Sequence, residues 1–262
     1  MDVVFPPTLI NIILVVTGLS LGSFATALAH RVQAGQSVGI AKPLTRSACP
    51  QCNHVLGVVD LIPLLSWLST SGRCRYCRQS IGMAYPMTEL GVLLACFIVY
   101  WVKGWSPDTA FIIAALPFLA ALLVIDLKHM ILPNALVGTL AGIGLLRILF
   151  YGFFYGAAPN PGVMYEYGVN MFFLAGVSWL MGFVTEKLLK KEALGMGDVK
   201  FFAMAGLWLE ISKAGWYFAL SGFLGILFSV IFRNFVKSGQ FPFGPALILA
   251  FFILILTDVS LF

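Results

Sequence analysis

Apolar residues along the chain gather in blocks long enough to cross the ~30 Å of a bilayer's hydrocarbon, separated by short polar breaks. The blocks cover 8–29, 86–102, 109–125, 132–151, 167–188, 200–209, 215–232 and 243–257. This pattern predicts an all-α polytopic membrane protein with about eight transmembrane helices. The sixth block is short for a full crossing and follows a glycine-rich break, so it is expected to begin below the lipid surface. The one extended polar region is 31–85. It is too small for a large core of its own and needs a staple. No internal repeat or low-complexity tract stands out. The expected organisation is a first transmembrane helix over 1–30, a polar loop over 31–85 and a transmembrane core over 86–262.

Composition supports the membrane class. Of 262 residues, 60% are hydrophobic and only 10% are charged, and the mean hydropathy is +0.95. A soluble domain needs far more charge to stay in water. The start, MDVVFPP, has no positively charged region ahead of its apolar run. That run is long enough to span, so a cleavable signal peptide is not expected.

The net charge of +5 matters through its distribution, because basic residues collect on the cytoplasmic side of membrane proteins. With 31–85 in the cytoplasm and the connections alternating, the cytoplasmic set is Arg31, Lys42, Arg46, Arg73, Arg75, Arg78, Lys128, Lys187, Lys190, Lys191, Lys200, Arg233 and Lys237. That is 13 of the 16 basic residues. Lys103 and Lys213 fall outside, and Arg147 lies within a span near its outer end. Both termini are then outside.

Cysteine spacing identifies the staple. Cys49-Pro-Gln-Cys52 is followed, after 21 residues, by Cys74-Arg-Tyr-Cys77. Two such knuckles can place four thiolates around one tetrahedral Zn²⁺, which offsets a small core. A disulfide is disfavoured on a cytoplasmic face. His54 is a substitute ligand that four cysteines make unnecessary. Cys96, inside a span, reads as a small core residue. The polar region is thus expected to be a cytoplasmic zinc-stapled loop.

Two carboxylates carry the candidate chemistry. Asp126 ends the third block, in IDLKHMILPN, and Asp198 opens the sixth, in Gly195-Met196-Gly197-Asp198-Val199-Lys200. An ionisable residue at a membrane boundary is costly unless it is solvated, paired or used. A lone aspartate at a helix end is commonly a cap, and Gly-x-Gly-Asp is short. The charge count, however, places both at one depth on one face. Two close carboxylates can share a proton, so that one activates water while the other polarises a carbonyl. Gly195 and Gly197 would let irregular backbone approach a substrate strand. Glu89 is a further acidic residue near this face, either structural or part of a site.

These features occur in an order that resembles the type IV prepilin peptidases, members of the GxGD membrane aspartyl proteases. The resemblance runs through Gly22-Ser23-Phe24, His30-Arg31, both CxxC pairs, IPLLSWL at 62–68, Gly72-Arg73-Cys74-Arg75, Tyr85-Pro86 with Glu89, Asp126 with Pro133, GMGDVK, and Phe243-Gly244-Pro245. Thr26 and Val32-Gln33 stand where the family often has Asn and Leu-Pro. The resemblance implies Asp126 and Asp198 as the catalytic pair, supported by Gly195, Gly197, Lys200 and Glu89. It implies cleavage of the basic leader of prepilin and pseudopilin precursors after a glycine. It also implies N-methylation of the new amino terminus with S-adenosylmethionine, with the cysteine loop associated with that step. The methyl donor rests on the resemblance alone, since no glycine-rich nucleotide motif marks its site. The implied location is the bacterial inner membrane, multi-pass, with the active site facing the cytoplasm; the lipid bilayer is a partner and nucleic acid is not. Three other readings remain open on residues alone: a monofunctional preflagellin-type peptidase, an ion-coupled transporter, and a scaffold whose zinc loop docks partners.

Overall fold

The computed structural model describes residues 6–34, 46–154, 161–190, 194–232 and 241–257. Lys42, Lys191, Arg233 and Lys237 of the expected cytoplasmic set lie outside the described residues, as do parts of the 1–30, 31–85 and 86–262 segments. Each apolar block forms a helix. These are α1 (Pro7–Gln33), α3 (Ala84–Lys103), α4 (Pro107–His129), α5 (Asn134–Phe154), α6 (Pro161–Leu189), α7 (Met196–Gly206), α8 (Ala214–Phe232) and α9 (Gly244–Thr257). A five-residue helix, α2 (Leu65–Ser69), lies within the polar region. Among the described residues there is no strand, only two isolated bridges.

Among the described residues six helices are long and apolar enough to cross a membrane, so the chain is a multi-pass membrane protein. The other two fall short of the ~17–25 residues a crossing takes: α7 has 11 residues and α9 has 14. At 1.5 Å per residue α7 reaches only ~16 Å. Large apolar side chains such as Trp101, Phe153, Phe172 and Ile226 face outward, as expected of a bundle solvated by lipid.

Local chemistry sets the helix ends. The Ser106 hydroxyl caps α4 by accepting the Thr109 N–H at 3.2 Å, with Pro107 at the first helical position. At the other end Met130 turns left-handed (φ 55°), and its N–H returns to the Asp126 carbonyl. The last turn of α4 therefore closes on the backbone of Asp126 and leaves the side chain free. Helices α1 and α3 approach closely: a methyl group at Gly22 would lie 2.6 Å from the Glu89 Cα, so only glycine fits. Small residues at such crossings let backbones meet where the hydrophobic effect cannot drive association.

The short α7 ends in the bundle interior, and the turn that follows it, at Trp208 and Leu209, has carbonyls with no water to turn to. Side chains from neighbouring helices take that place. Arg147 of α5, fully buried, donates to the Trp208 carbonyl at 3.2 Å and stacks over the Trp208 ring. Asn170 of α6 donates to the Leu209 carbonyl at 2.7 Å, and the Trp208 indole N–H donates to the Leu140 carbonyl. Arg147 is itself paired with the buried Asp108 at the start of α4, 2.5 Å away, and Lys103 lies 3.6 Å from the second Asp108 oxygen. Arg147, expected within a span near its outer end, is thus the hub of a buried polar network.

Removing one partner of a buried ion pair leaves the other charge uncompensated, at about 3–5 kcal/mol. Asp108→Ala is therefore expected to lower the thermal unfolding midpoint of the detergent-solubilised protein sharply. The Asp108→Ala/Arg147→Leu double variant should be less destabilised than the sum of the singles. Strict additivity in that cycle would refute the pairing.

Candidate active site and metal centre

Both aspartates lie at the end of the bundle that carries the polar module. Asp126, in the last turn of α4, is 3% exposed. One of its oxygens accepts the backbone N–H of Gly244 at 2.9 Å, the first residue of α9. The contact demands glycine: a Cβ at 244 would stand 2.5 Å from that oxygen. The carboxylate therefore sits against a helix amino terminus, where free N–H groups and the helix dipole favour an acceptor. The motif Phe243-Gly244-Pro245 is visible in the sequence, but no signal in it marks Gly244 as the partner of Asp126. Nothing local ties residue 244 to residue 126; only the packing of α9 on α4 does.

Asp198 occupies the first turn of α7 and is half-buried. It accepts the Gly195 N–H at 3.2 Å, and its own N–H returns to the Gly195 carbonyl. Taken alone this is a helix cap. Asp198 also lies within electrostatic range of Asp126, so the fold converges two acidic groups from different elements. Tyr217 of α8, fully buried, lies within range of Asp198 as well.

The supporting residues divide. Gly195 has an ordinary φ of −71°. Gly197 packs on Leu132, where an added Cβ would come within 3.2 Å. Its small size thus serves the junction of α7 with the link between α4 and α5. Lys200 donates to the Asn134 side chain at 2.9 Å and ties α7 to the start of α5. Glu89 is not brought to the aspartates. It is 7% exposed on α3 and accepts the N–H of Leu64 at 2.7 Å. Leu64 is left-handed (φ 58°), a conformation uncommon for a side chain of this bulk. Glu89 thus fastens the polar module to the membrane helices. It lines a cavity of about 450 Å³ to which neither aspartate contributes.

The module is built on two knuckles of the same form. In each, the N–H of the first cysteine bonds a carbonyl five residues on (Cys49 to His54, Cys74 to Gln79), and a left-handed residue follows the second cysteine (Asn53, Arg78). Bridges Ala48–Val55 and Arg73–Ser80 close both turns. The four sulfurs lie within 4.8 Å of one another, with Cys49 and Cys77 at 3.9 Å. Sulfurs ~2.3 Å from a tetrahedral centre would stand about 3.8 Å apart, so the four cysteines can hold a metal ion. His54 instead stacks on Tyr76 at 3.6 Å. Cys96 is fully buried in a span.

Thiol electrostatics suit a metal as well. The Cys49 thiol is lowered to about 7, first by the Cys52 backbone N–H. At Cys77 the Gln79 N–H pulls downward, but desolvation and the neighbouring thiols prevail and raise it to about 11. Without a metal the cluster therefore retains protons that a cation must displace.

Residues 16–103 match the model of the bacterial peptidase A24 N-terminal domain, and residues 113–231 match that of the type IV leader peptidase family. A prepilin leader peptidase/N-methyltransferase of Aeromonas salmonicida is 35% identical over 82% of this chain and 72% of its own length. Another, from Pseudomonas aeruginosa, is 31% identical over 92% of this chain and 88% of its own. A type 4 prepilin-like proteins leader peptide-processing enzyme of Escherichia coli is 32% identical over 92% and 91%. No solved structure matches the chain.

Because metal binding releases thiol protons, affinity at the cysteine cluster should fall as pH drops, already as the Cys77 thiol, held up to about 11, takes its proton, and further below about 7, where Cys49 takes one too. Elemental analysis should find one metal ion per chain, lost on replacing Cys49, Cys52, Cys74 or Cys77 by Ser. A metal-free module that stays folded and protease-resistant would refute the site.

Proposed function

The chain belongs to the type IV leader peptidase family, and on that premise we propose that it cleaves the leader peptides of prepilin and pseudopilin precursors and N-methylates the new amino terminus. The observation that carries the peptidase half is the convergence of Asp126 and Asp198 at one end of the bundle, with Gly244 holding the first. On this reading the two carboxylates share one proton. The ionised member takes a proton from water, whose oxygen attacks the scissile carbonyl carbon. The protonated member donates to the carbonyl oxygen, and collapse of the tetrahedral intermediate passes a proton to the departing amine. A precursor with a basic leader and a following apolar helix reaches this site from the side, its helix remaining in lipid.

The methyl donor is S-adenosylmethionine, as the N-methyltransferase names of the relatives suggest for this chain. The cysteine cluster holds Zn²⁺ in a structural role, the four-thiolate set being that ion's usual one. The segments 1–30, 31–85 and 86–262 act as anchor, methylation-associated module and peptidase core. The distribution of basic residues supports an inner-membrane location with the site facing the cytoplasm.

Asp126→Asn and Asp198→Asn should each lower cleavage of a pilin precursor by at least about 10³-fold, and the double variant should be no worse, because the pair acts as a unit. Substantial cleavage by either purified single variant would sink the assignment. Gly244→Ala, which must displace the Asp126 carboxylate, should cost about 10²-fold while leaving metal content unchanged.

A further inference from the structure

The polar module carries an apolar strip that neither the cysteine cluster nor the aspartates account for. In residues 47–72, with histidine neutral, the one charged side chain is Asp60. That carboxylate is turned inward: it pairs with Arg75 at 2.9 Å and accepts the Tyr76 hydroxyl and the Gly57 N–H. What the stretch shows outside is apolar. Val58 is 83% exposed, Leu65 63% and Leu68 64%, with Val59 and Ile62 exposed beside them. The turn Val58–Leu61 packs against α2, and Ile62, Leu65 and Leu68 recur every third residue, so they share one face of α2 and its lead-in. The other face is already used. Ser66, Trp67 and Thr70 line the module's cavity together with Arg73 and Arg75, and none of the five apolar residues does. A contiguous exposed patch of this kind marks a surface that something covers.

Depth decides what covers it. The N–H of Leu64, the residue before Leu65, donates to the Glu89 carboxylate at 2.7 Å. Glu89 lies five residues into α3, ~7.5 Å along a helix whose 20 residues match the hydrocarbon thickness. Gly22 of α1, packed on Glu89, lies seven residues before Ala29, where the first apolar block ends, ~10 Å along that helix. Two helices thus place residue 64 level with their apolar segments and not beyond them. Near that level α3 presents Met87, Leu90 and Leu94 outward, a lipid-facing row that the strip extends.

We propose that the Val58–Leu68 face of the module lies in the adjoining lipid leaflet, its apolar side chains entering the boundary between headgroups and acyl chains as those of an interfacial helix do. The occupant is lipid because the strip continues the outward row of α3 at a depth where hydrocarbon is the surrounding medium. Its lack of charge suits that place, and the inward pairing of Asp60 keeps the one carboxylate of the stretch out of it. The module is then held by its chain ends, by the Glu89–Leu64 bond and by lipid.

A benzophenone amino acid in place of Leu65 or Leu68 tests this in the full-length protein, reconstituted into liposomes of phosphatidylethanolamine and phosphatidylglycerol. On irradiation, mass spectrometry should find phospholipid as the main adduct at both positions, as for the same probe at Leu94 of α3. A main adduct with a second chain would make the strip an interface between copies. No phospholipid adduct, where the Leu94 probe gives one, would put the strip in water. Either result overturns the assignment. Leu65→Glu/Leu68→Glu gives a second measurement should the bulky probe disturb the module. Both side chains are exposed and lie outside the cysteine cluster, so the variant should keep the metal content of the unmutated protein in detergent. Two carboxylates oppose residence in the leaflet. In nanodiscs of the same lipids, trypsin should therefore cut after Arg73, Arg75 or Arg78 at least about tenfold faster than in the unmutated protein, and equal rates would overturn the proposal.

Discussion

The Arg147 guanidinium, buried between the Asp108 carboxylate and the Trp208 carbonyl, is the interaction on which the arrangement of the bundle depends. A helix of 11 residues that stops inside an apolar medium leaves the carbonyls of its exit turn, at Trp208 and Leu209, in need of donors there. Arg147 and Asn170 supply them, and Asp108 removes the penalty of leaving a guanidinium buried alone. At the opposite end of the same helix, Lys200 and Gly197 fasten α7 to the link between α4 and α5. Asp198 is carried on a short rod pinned at both ends.

Helix α4 connects that network to the site. Asp108 opens it and Asp126 lies near its close, 18 residues later, a rise of ~27 Å. Through Arg147 the first holds the exit turn of α7, and the second lies within electrostatic range of the carboxylate at its beginning. The setting of α4 against α7 therefore governs the buried ion pair and the acidic pair together. Helix α9 completes the arrangement by placing its first N–H on Asp126, a contact so close that any side chain at residue 244 would occupy the carboxylate's place.

The module at this end is clamped rather than appended. Two knuckles of matching form gather four sulfurs, and the bond from Glu89 to the strained Leu64 turn holds the module against α1 and α3. The polar module and the two aspartates thus share one end of the bundle, while its cavity is walled by α1, α3 and the module and by neither aspartate. Membership of the leader peptidase family removes the need to read the boundary carboxylates as an ion pathway.

Much of this architecture is legible in the sequence itself. Block length and the scarcity of charge marked the apolar helices, because hydrocarbon thickness and the solvation of charge are properties of the solvent and leave their trace in composition. The CxxC spacing marked the metal cluster, because each knuckle is a local turn, although the matching form of the two turns shows in their hydrogen bonds and not as a repeat of residue types. Asp126 and Asp198 stood out because a carboxylate at a membrane boundary needs a reason to be there. What the sequence could not assign were relations between distant residues. Gly244 as the partner of Asp126, Arg147 as the donor for the end of α7, Leu132 as the neighbour that keeps residue 197 small, and Glu89 as a wall of the module's cavity all depend on which helix faces which. Those contacts join residues 25 to 118 positions apart, and only the packed bundle brings them within hydrogen-bonding or van der Waals reach.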